Sequence, residues 1–172
     1  LVVAGFRDAA VLVPIVERAG AATTLVFTVR PAAMPTHGVQ ISFPGGWREH
    51  GDTDAGATAL REATEEIGVD PSGVEVLCML DDVPTPLGFV ITPVVGLLVD
   101  PPPFRPDARE VEEVFEVPLG VLTDPATFRD GGEREFMGRL YRLPEYHVAG
   151  RRIWGATARM VQMLLEAASA HP

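Results

Sequence analysis

The segment Asp54–Ile67, DAGATALREATEEI, constrains the fold more than any other part of the chain. Asp52, Thr53 or Asp54 is available to cap its start, and Gly68 stands where a left-handed residue ends a helix, so the limits of a helix are well marked. At about 100° per residue, Glu62, Glu65 and Glu66 fall within an arc of roughly 100°, while Ala57, Leu60, Thr64 and Ile67 lie on the other side. The pattern predicts that the apolar side packs on a sheet and holds three carboxylates rigidly towards a cleft, as a metal site needs. An isolated REATEE would read as a solvated face with an ordinary Arg61–Glu65 pair, because charged helix faces are common. The neighbouring Phe43-Pro44-Gly45-Gly46 shifts the balance: it reads as a strand end entering a permissive turn, where an exposed carbonyl can approach a cation. Carboxylates from one helix plus a backbone carbonyl suit Mg²⁺ or Mn²⁺ better than zinc, which would prefer His or Cys.

Apolar and β-branched runs predict strands at Ala9–Val16, Thr24–Val29, Val74–Leu80, Phe89–Leu98 and about Val114–Val117. A second helix is predicted from about Trp154 to Ala167, where Met160, Val161, Met163, Leu164 and Leu165 form a broad apolar face. Proline and glycine punctuate the remainder, at 31–35, 44–46, 84–86, 101–103 and Asp130-Gly131-Gly132. Strands on both sides of a central helix, with a further helix at the end, imply an α/β fold built on a mixed sheet flanked by helices.

The 172 residues, 47% of them hydrophobic, fit one domain over residues 1–172 with a proper core. A net charge of −10 argues against broad nucleic-acid binding, although divalent cations between carboxylates and phosphates would let an acidic protein hold a small phosphorylated ligand. No apolar run approaches the length needed to cross a bilayer, and no leader pattern is visible, so neither membrane insertion nor export is expected. Cys78, the single cysteine, lies in the apolar run Val76–Leu80 and is expected to be a buried strand thiol, which fits a cytoplasmic location.

FPGG followed by REATEEIGV closely resembles the Nudix box, Gx5Ex7REUxEExGU with U aliphatic. Arg61, Glu62, Glu65, Glu66, Gly68 and Val69 match its second half, with Ala63 at an aliphatic position. The first half departs: Gly46 lies one residue too far upstream, and the first Glu position falls on Thr53, between Asp52 and Asp54. The coenzyme A diphosphatase branch has a similarly lengthened box with an Asp, for which Asp52 is the natural match. Its upstream pattern, LLTxR[SA]x3Rx3Gx3FPGG, is paralleled by Val26-Phe27-Thr28-Val29-Arg30, but Pro31, Pro35 and Val39 replace the usual Ser or Ala, Arg and Gly. Similarity to the branch continues through Thr85–Phe89, Thr92–Gly96, Glu110-Val111, Phe115–Leu119 and Ile153–Ala158.

The resemblance implies a Nudix-type α/β/α sandwich and divalent-metal hydrolysis of a diphosphate bond. It places Glu62 and Glu66 on the metal, Glu65 on the metal or the attacking water, and the Gly46 carbonyl as a completing ligand. Arg61 would position Glu65. Glu110 would be a further ligand or the general base, its plain alternative being a solvated loop acid. Arg30 is the candidate contact for a substrate phosphate. Trp47 either stacks on an adenine or covers its loop, and His37 either meets phosphate or is structural. Phe89 and Trp154 are expected in the core. The implied substrate is coenzyme A or a derivative, cleaved to 3′,5′-ADP and 4′-phosphopantetheine or its acyl form, in a chain that can form a homodimer. Alternatives are another nucleoside diphosphate derivative, such as ADP-ribose, NADH or a dinucleoside polyphosphate, or a nucleotide sensor without turnover.

Overall fold

The computed structural model describes residues 5–31 and 40–170, so Pro35, His37 and Val39 lie outside the described residues. Its spine is a parallel pair, β1 (Arg7–Glu17) and β7 (Phe89–Val99), in register from Arg7 opposite Phe89 to Glu17 opposite Val99. Both strands are nearly continuous apolar runs because both faces of the pair are covered. β2 (Thr24–Arg30) and β3 (Gln40–Ser42) extend the sheet on one side and β5 (Glu75–Met79) on the other, in the order β3-β2-β1-β7-β5. β4 (Gly45–Trp47) pairs with β1, β6 (Val83–Thr85) with β7 and β8 (Glu113–Pro118) with β2, all antiparallel, completing a mixed eight-stranded sheet.

The alternation of β1 assigns its side chains to two helices. Ala10, Leu12 and Val16 meet α1 (Ala55–Ile67) through Ala59, Ala63 and Ile67. Val11 and Val13, with Leu25, Phe27 and Val95, share the opposite core with Met160, Val161, Met163 and Leu164 of α3 (Gly155–Ser169). One short turn, α2 (Leu119–Leu122), precedes a second, three-stranded sheet of β9 (Phe128–Phe136), β10 (Arg139–Val148) and β11 (Arg151–Ile153). The main sheet with one helix on each face is the expected α/β/α sandwich. Among the described residues, no helix is long and apolar enough to cross a membrane.

The five predicted strands and two predicted helices are all present with small shifts at their ends. The hairpin β9–β10 was not predicted, because Asp130-Gly131-Gly132 reads as punctuation yet lies inside β9. A side chain at Gly131 would stand 2.6 Å from the Leu143 carbonyl, Gly132 has φ +85°, and the ladder slips between Arg142 and Pro144. These glycines shape a bulged strand instead of ending one. Cys78 is exposed, contrary to the expected buried thiol, because β5 is the outer strand beside β7 and all its residues are exposed. Trp154 also leaves the core: it is the N-cap residue of α3, 45% exposed, with the Arg152 guanidinium 5.5 Å from its ring. Phe89 is only half-buried, at the start of β7.

Arg18, just after β1, forks the Glu116 carboxylate of β8 at 2.7 and 2.8 Å, and the Thr24 hydroxyl donates to the same group at 2.5 Å. These bonds hold Glu116 below its ordinary 4.5, with the Arg18 contact the chief cause. A folded-state pKa below the unfolded one adds stability above about pH 4.5 that is lost as pH falls through the folded value. Arg18→Gln is therefore expected to cost about 1 kcal/mol near neutrality after solvent screening. Urea unfolding at a series of pH values should show that penalty shrinking below about pH 4; a penalty independent of pH would exclude the clamp as its source.

Candidate active site

The ends of α1 are set by local chemistry. The Asp54 carboxylate accepts the Ala57 N–H at 2.8 Å, and Gly68, at φ +71°, donates its N–H to the Thr64 carbonyl at 3.0 Å. Its faces divide differently from the sequence expectation. Thr58, Glu62 and Glu66 are buried beside Ala59, Ala63 and Ile67, whereas Thr64 is exposed and Glu65 stands at the rim with 54% of its side chain open. On the helix, Glu66 lies only about 20° from Ala59 and about 60° from Ala63, so the face that buries the alanines carries the carboxylate inward. Glu66 is 1% exposed and Glu62 9%.

Space for those carboxylates comes from β4. Gly45 and Gly46 form a strand opposite Val11 and Ala10, instead of the expected turn. A Cβ on Gly45 would lie 2.4 Å from the Ala10 carbonyl oxygen and 2.6 Å from Val11 Cα. On Gly46 it would lie 2.5–2.6 Å from all three atoms of the Glu62 carboxyl group. Glycine is required here for close approach of backbone to backbone and of backbone to carboxylate. The Gly45 N–H donates to Glu66 Oε2 at 3.2 Å. From the end of β2, Arg30 Nη2 donates to the Gly45 carbonyl at 2.7 Å and to Glu66 Oε1 at 3.0 Å.

Arg61 organises the other half. It forks Asp52 at 3.1 and 3.0 Å, donates to the Trp47 carbonyl at 2.9 Å, and reaches Glu62 at 3.0 Å and Glu65 at 3.1 Å. The Arg61–Glu65 contact is the expected one, but the paired hydrogen bonds go to Asp52. Asp52 also accepts from the Glu49 N–H and the Thr58 hydroxyl, both at 2.9 Å. With Arg61 as the largest contributor, these bonds hold its carboxyl far below the ordinary range. Asp52 was legible as a candidate cap and as the acid of a lengthened box; its hold on Arg61 depends on the loop folding back over nine residues.

Burial pushes Glu66 up to about 7 despite the opposing Arg30 and Gly45 contacts, and Glu62 and Glu110 push in the same direction. Glu62 is raised as well, first by burial, against Arg61 and with the charges of Glu65 and Glu110. Glu110 thus belongs to the cluster electrostatically although its side chain is exposed. The loop carrying it is tied to the end of α1 by Arg105 N–H to Ile67 and Asp107 N–H to Glu66, both at 2.9 Å, and Glu110 N–H closes on Asp107 at 2.9 Å.

The donor set fits a hard divalent cation. Buried carboxylate oxygens gather beside a glycine backbone, and burial leaves Glu66 short of positive charge. Among the described residues, no three His, Cys, Asp or Glu side chains already converge in a ligating group; Arg61 holds Glu62 and Arg30 holds Glu66 instead. The structure therefore brings together Glu62, Glu66, Gly46 and Arg30, with Glu65 and Glu110 at the rim and Trp47 beside them. His37 lies outside the described residues.

Comparison with known proteins identifies the family. The NUDIX domain profile matches residues 6–142. An uncharacterized Nudix hydrolase, NudL, of Escherichia coli is 44% identical over 169 residues, covering 92% of this chain and 81% of its own. Nudix hydrolase 15, mitochondrial, of Arabidopsis thaliana is 38% identical over 169 residues, covering 95% of this chain, which spans 58% of the plant protein. Among solved structures, the Nudix hydrolase RenU of M. smegmatis superposes with a TM-score of 0.67 at 20% identity, over 98% of this chain and 89% of that one. The Nudix domain of Shewanella oneidensis NrtR, solved with ADP ribose, superposes at 0.51 and 21% identity over 70% and 78%. A domain match across most of the chain, joined to a relative 44% identical over 92% of it, makes this protein a member of the Nudix hydrolase family.

Proposed function

We propose that the protein hydrolyses the diphosphate bond of coenzyme A or a derivative, giving 3′,5′-ADP and 4′-phosphopantetheine or its acyl form, with Mg²⁺ or Mn²⁺. The observation that carries the hydrolytic reading is the burial of Glu62 and Glu66 together beneath Gly45-Gly46. Glu62, Glu65, Glu66 and the Gly46 carbonyl would hold the ion, which when bound stabilises charge developing on the phosphoryl and bridging oxygens. Arg30, 44% open at its side chain, holds a non-bridging phosphate oxygen and sets the diphosphate in place. Water is held at Glu65 or Glu110, and that carboxylate takes its proton as the new P–O bond forms and the bridging bond breaks. Arg61 keeps Glu62 and Glu65 aligned from behind. The lone cysteine and this substrate class support a place in the cytoplasm.

Support for coenzyme A itself comes from the lengthened box and the flanking stretches that resemble that branch. A second substrate reading, ADP-ribose or a dinucleoside polyphosphate, draws on the fold neighbours, which include NrtR with ADP ribose and an Ap4A hydrolase of C. elegans. Hydrolysis of coenzyme A, ADP-ribose, NADH and Ap4A at equal enzyme concentration separates the two. Coenzyme A is expected to have the highest kcat/KM; equal or faster cleavage of ADP-ribose or Ap4A moves the protein to another substrate group.

Two substitutions test the centre. Glu66→Gln keeps size and shape and removes the charge a divalent ion requires, so turnover should fall by about two orders of magnitude or more. The metal-free fold should change stability only modestly, because a neutral amide avoids the cost of burying the carboxylate but its NH2 cannot accept one of the two bonds given by Gly45 and Arg30. Turnover against Mg²⁺ concentration, with thermal unfolding as control, reads both, and a folded variant of normal activity removes Glu66 from the mechanism.

Gly46→Ala has no barrier of backbone conformation, since Gly46 is not at positive φ. Its methyl group would displace the Glu62 carboxylate, so activity should drop at least about tenfold while folding cooperativity is retained. Unchanged kcat and metal requirement would show that the position of Glu62 under β4 is immaterial.

A further inference from the structure

We propose that the cavity beside Trp47 is a base-binding subsite that takes the adenine ring of the substrate. The inference rests on the reading that the substrate is an adenosine diphosphate derivative, and it assigns a separate part of the protein to the base.

The site is an open depression of about 750 Å³ beside Trp47, lined by Arg7, Asp8, Arg48, Glu49, His50 and Asp52. It adjoins the carboxylate cluster through Arg61, which binds the lining residue Asp52 and the Trp47 carbonyl on one side and Glu62 and Glu65 on the other. Trp47 also directly follows Gly46, so a diphosphate over the glutamates points one of its ends towards the indole.

A single exposed tryptophan would need no explanation, since surfaces carry scattered apolar groups. Trp47 is 47% exposed but held on two sides. The Phe89 ring meets it edge-on, with centroids 4.6 Å apart at 81°, and the Arg7 guanidinium lies over it at 4.8 Å. The register places these groups side by side: Trp47 is opposite Ala9 on β4, and Phe89 is opposite Arg7 on β7. The result is an indole and guanidinium stack fixed by the sheet before any ligand arrives, and both planes stack on nucleobases.

The charge of the lining distinguishes a base from a phosphate. Arg48 is committed to the Asp52 and Thr53 carbonyls at 3.4 and 2.8 Å, and Asp52 to Arg61. The Glu49 carboxylate lies 4.0 Å from the Arg61 guanidinium, and Asp8 shares the lining with Arg7 and His50, so no surplus of positive charge is left to hold a phosphate, while these carboxylates can accept the exocyclic N–H groups of adenine. The flexible thiol-bearing arm of coenzyme A, lacking a flat π surface, gains nothing from the stack and is directed to the other side of the glutamates.

Trp154→Phe leaves Trp47 as the sole tryptophan, and 3′,5′-ADP and adenosine are then titrated against its fluorescence with 4′-phosphopantetheine as control. Quenching by the two adenine compounds and none by 4′-phosphopantetheine is expected. In steady-state kinetics, on whichever of coenzyme A or ADP-ribose the wild type cleaves, Trp47→Ala should raise KM roughly 5- to 150-fold, the range that loss of one base stack implies. Its kcat should change little, and Trp47→Phe should restore most of the affinity. An unchanged KM in Trp47→Ala overturns the subsite and leaves the coenzyme A reading untouched. Cleavage of ADP-ribose but not coenzyme A, with KM still dependent on Trp47, overturns that reading and keeps the subsite.

Discussion

Two carboxylates buried under a glycine strand are the constraint on which the rest of the structure depends. An ionised carboxylate loses several kcal/mol of hydration when buried, so Glu66 at 1% exposure needs partners that the helix alone cannot supply. The Gly45 amide and Arg30 reach it from outside α1, against the like charge of Glu62 one turn away on the same helix. Their convergence requires β4 to lie close on α1 and β1 at once, and the absence of two Cβ atoms makes that approach possible. The full-length parallel pairing of β1 with β7 gives β4 a stiff backing, and the Ala59-Ala63-Ile67 stripe holds α1 against the same strands.

Electrostatics explains why the cluster is divided between two arginines. Arg61 serves Asp52, Glu62 and Glu65, and Arg30 serves Glu66 and the Gly45 carbonyl, so each inward carboxylate has one guanidinium. Even so, Glu66 is raised to about 7 and Glu62 is raised too, which shows that these contacts do not fully offset burial and mutual repulsion. Asp52 is the opposite case: saturated with donors, it is an anchor with no unmet demand for a cation. This contrast separates the carboxylates proposed to hold a metal from the one that holds the frame.

The frame and the specificity occupy different elements. RenU, the C. elegans Ap4A hydrolase and the NrtR domain share the fold with this chain at 18–21% identity, yet their descriptions differ. A fold common to proteins so described does not choose among substrates. In this chain the proposed determinants of that choice surround α1: Arg30 at the end of β2, the loop that carries Glu110, and Trp47 held by Arg7 and Phe89.

The sequence by itself determined the features that depend on near neighbours along the chain. A cap among Asp52, Thr53 and Asp54, the Gly68 stop, the apolar periods of β1, β2, β7 and α3, and the spacing that puts Glu62 and Glu66 one turn apart are all local, and all are present, with Asp54 the cap. Sequence could not show which face of α1 turns inward, because Glu66 and Ala59 share a direction and only the packed sheet with its glycine strand makes a buried carboxylate tolerable there. Nor could it show that Asp130-Gly131-Gly132 lies within a bulged strand, that β5 is an edge exposing Cys78, or that Trp154 caps a helix outside the core. The Arg30–Glu66 bond joins residues 36 positions apart, and the approach of Glu110 depends on a loop tied to the end of α1. Those outcomes were left to the tertiary structure, since burial and charge pairing depend on which distant segments meet, and local periodicity carries no record of that.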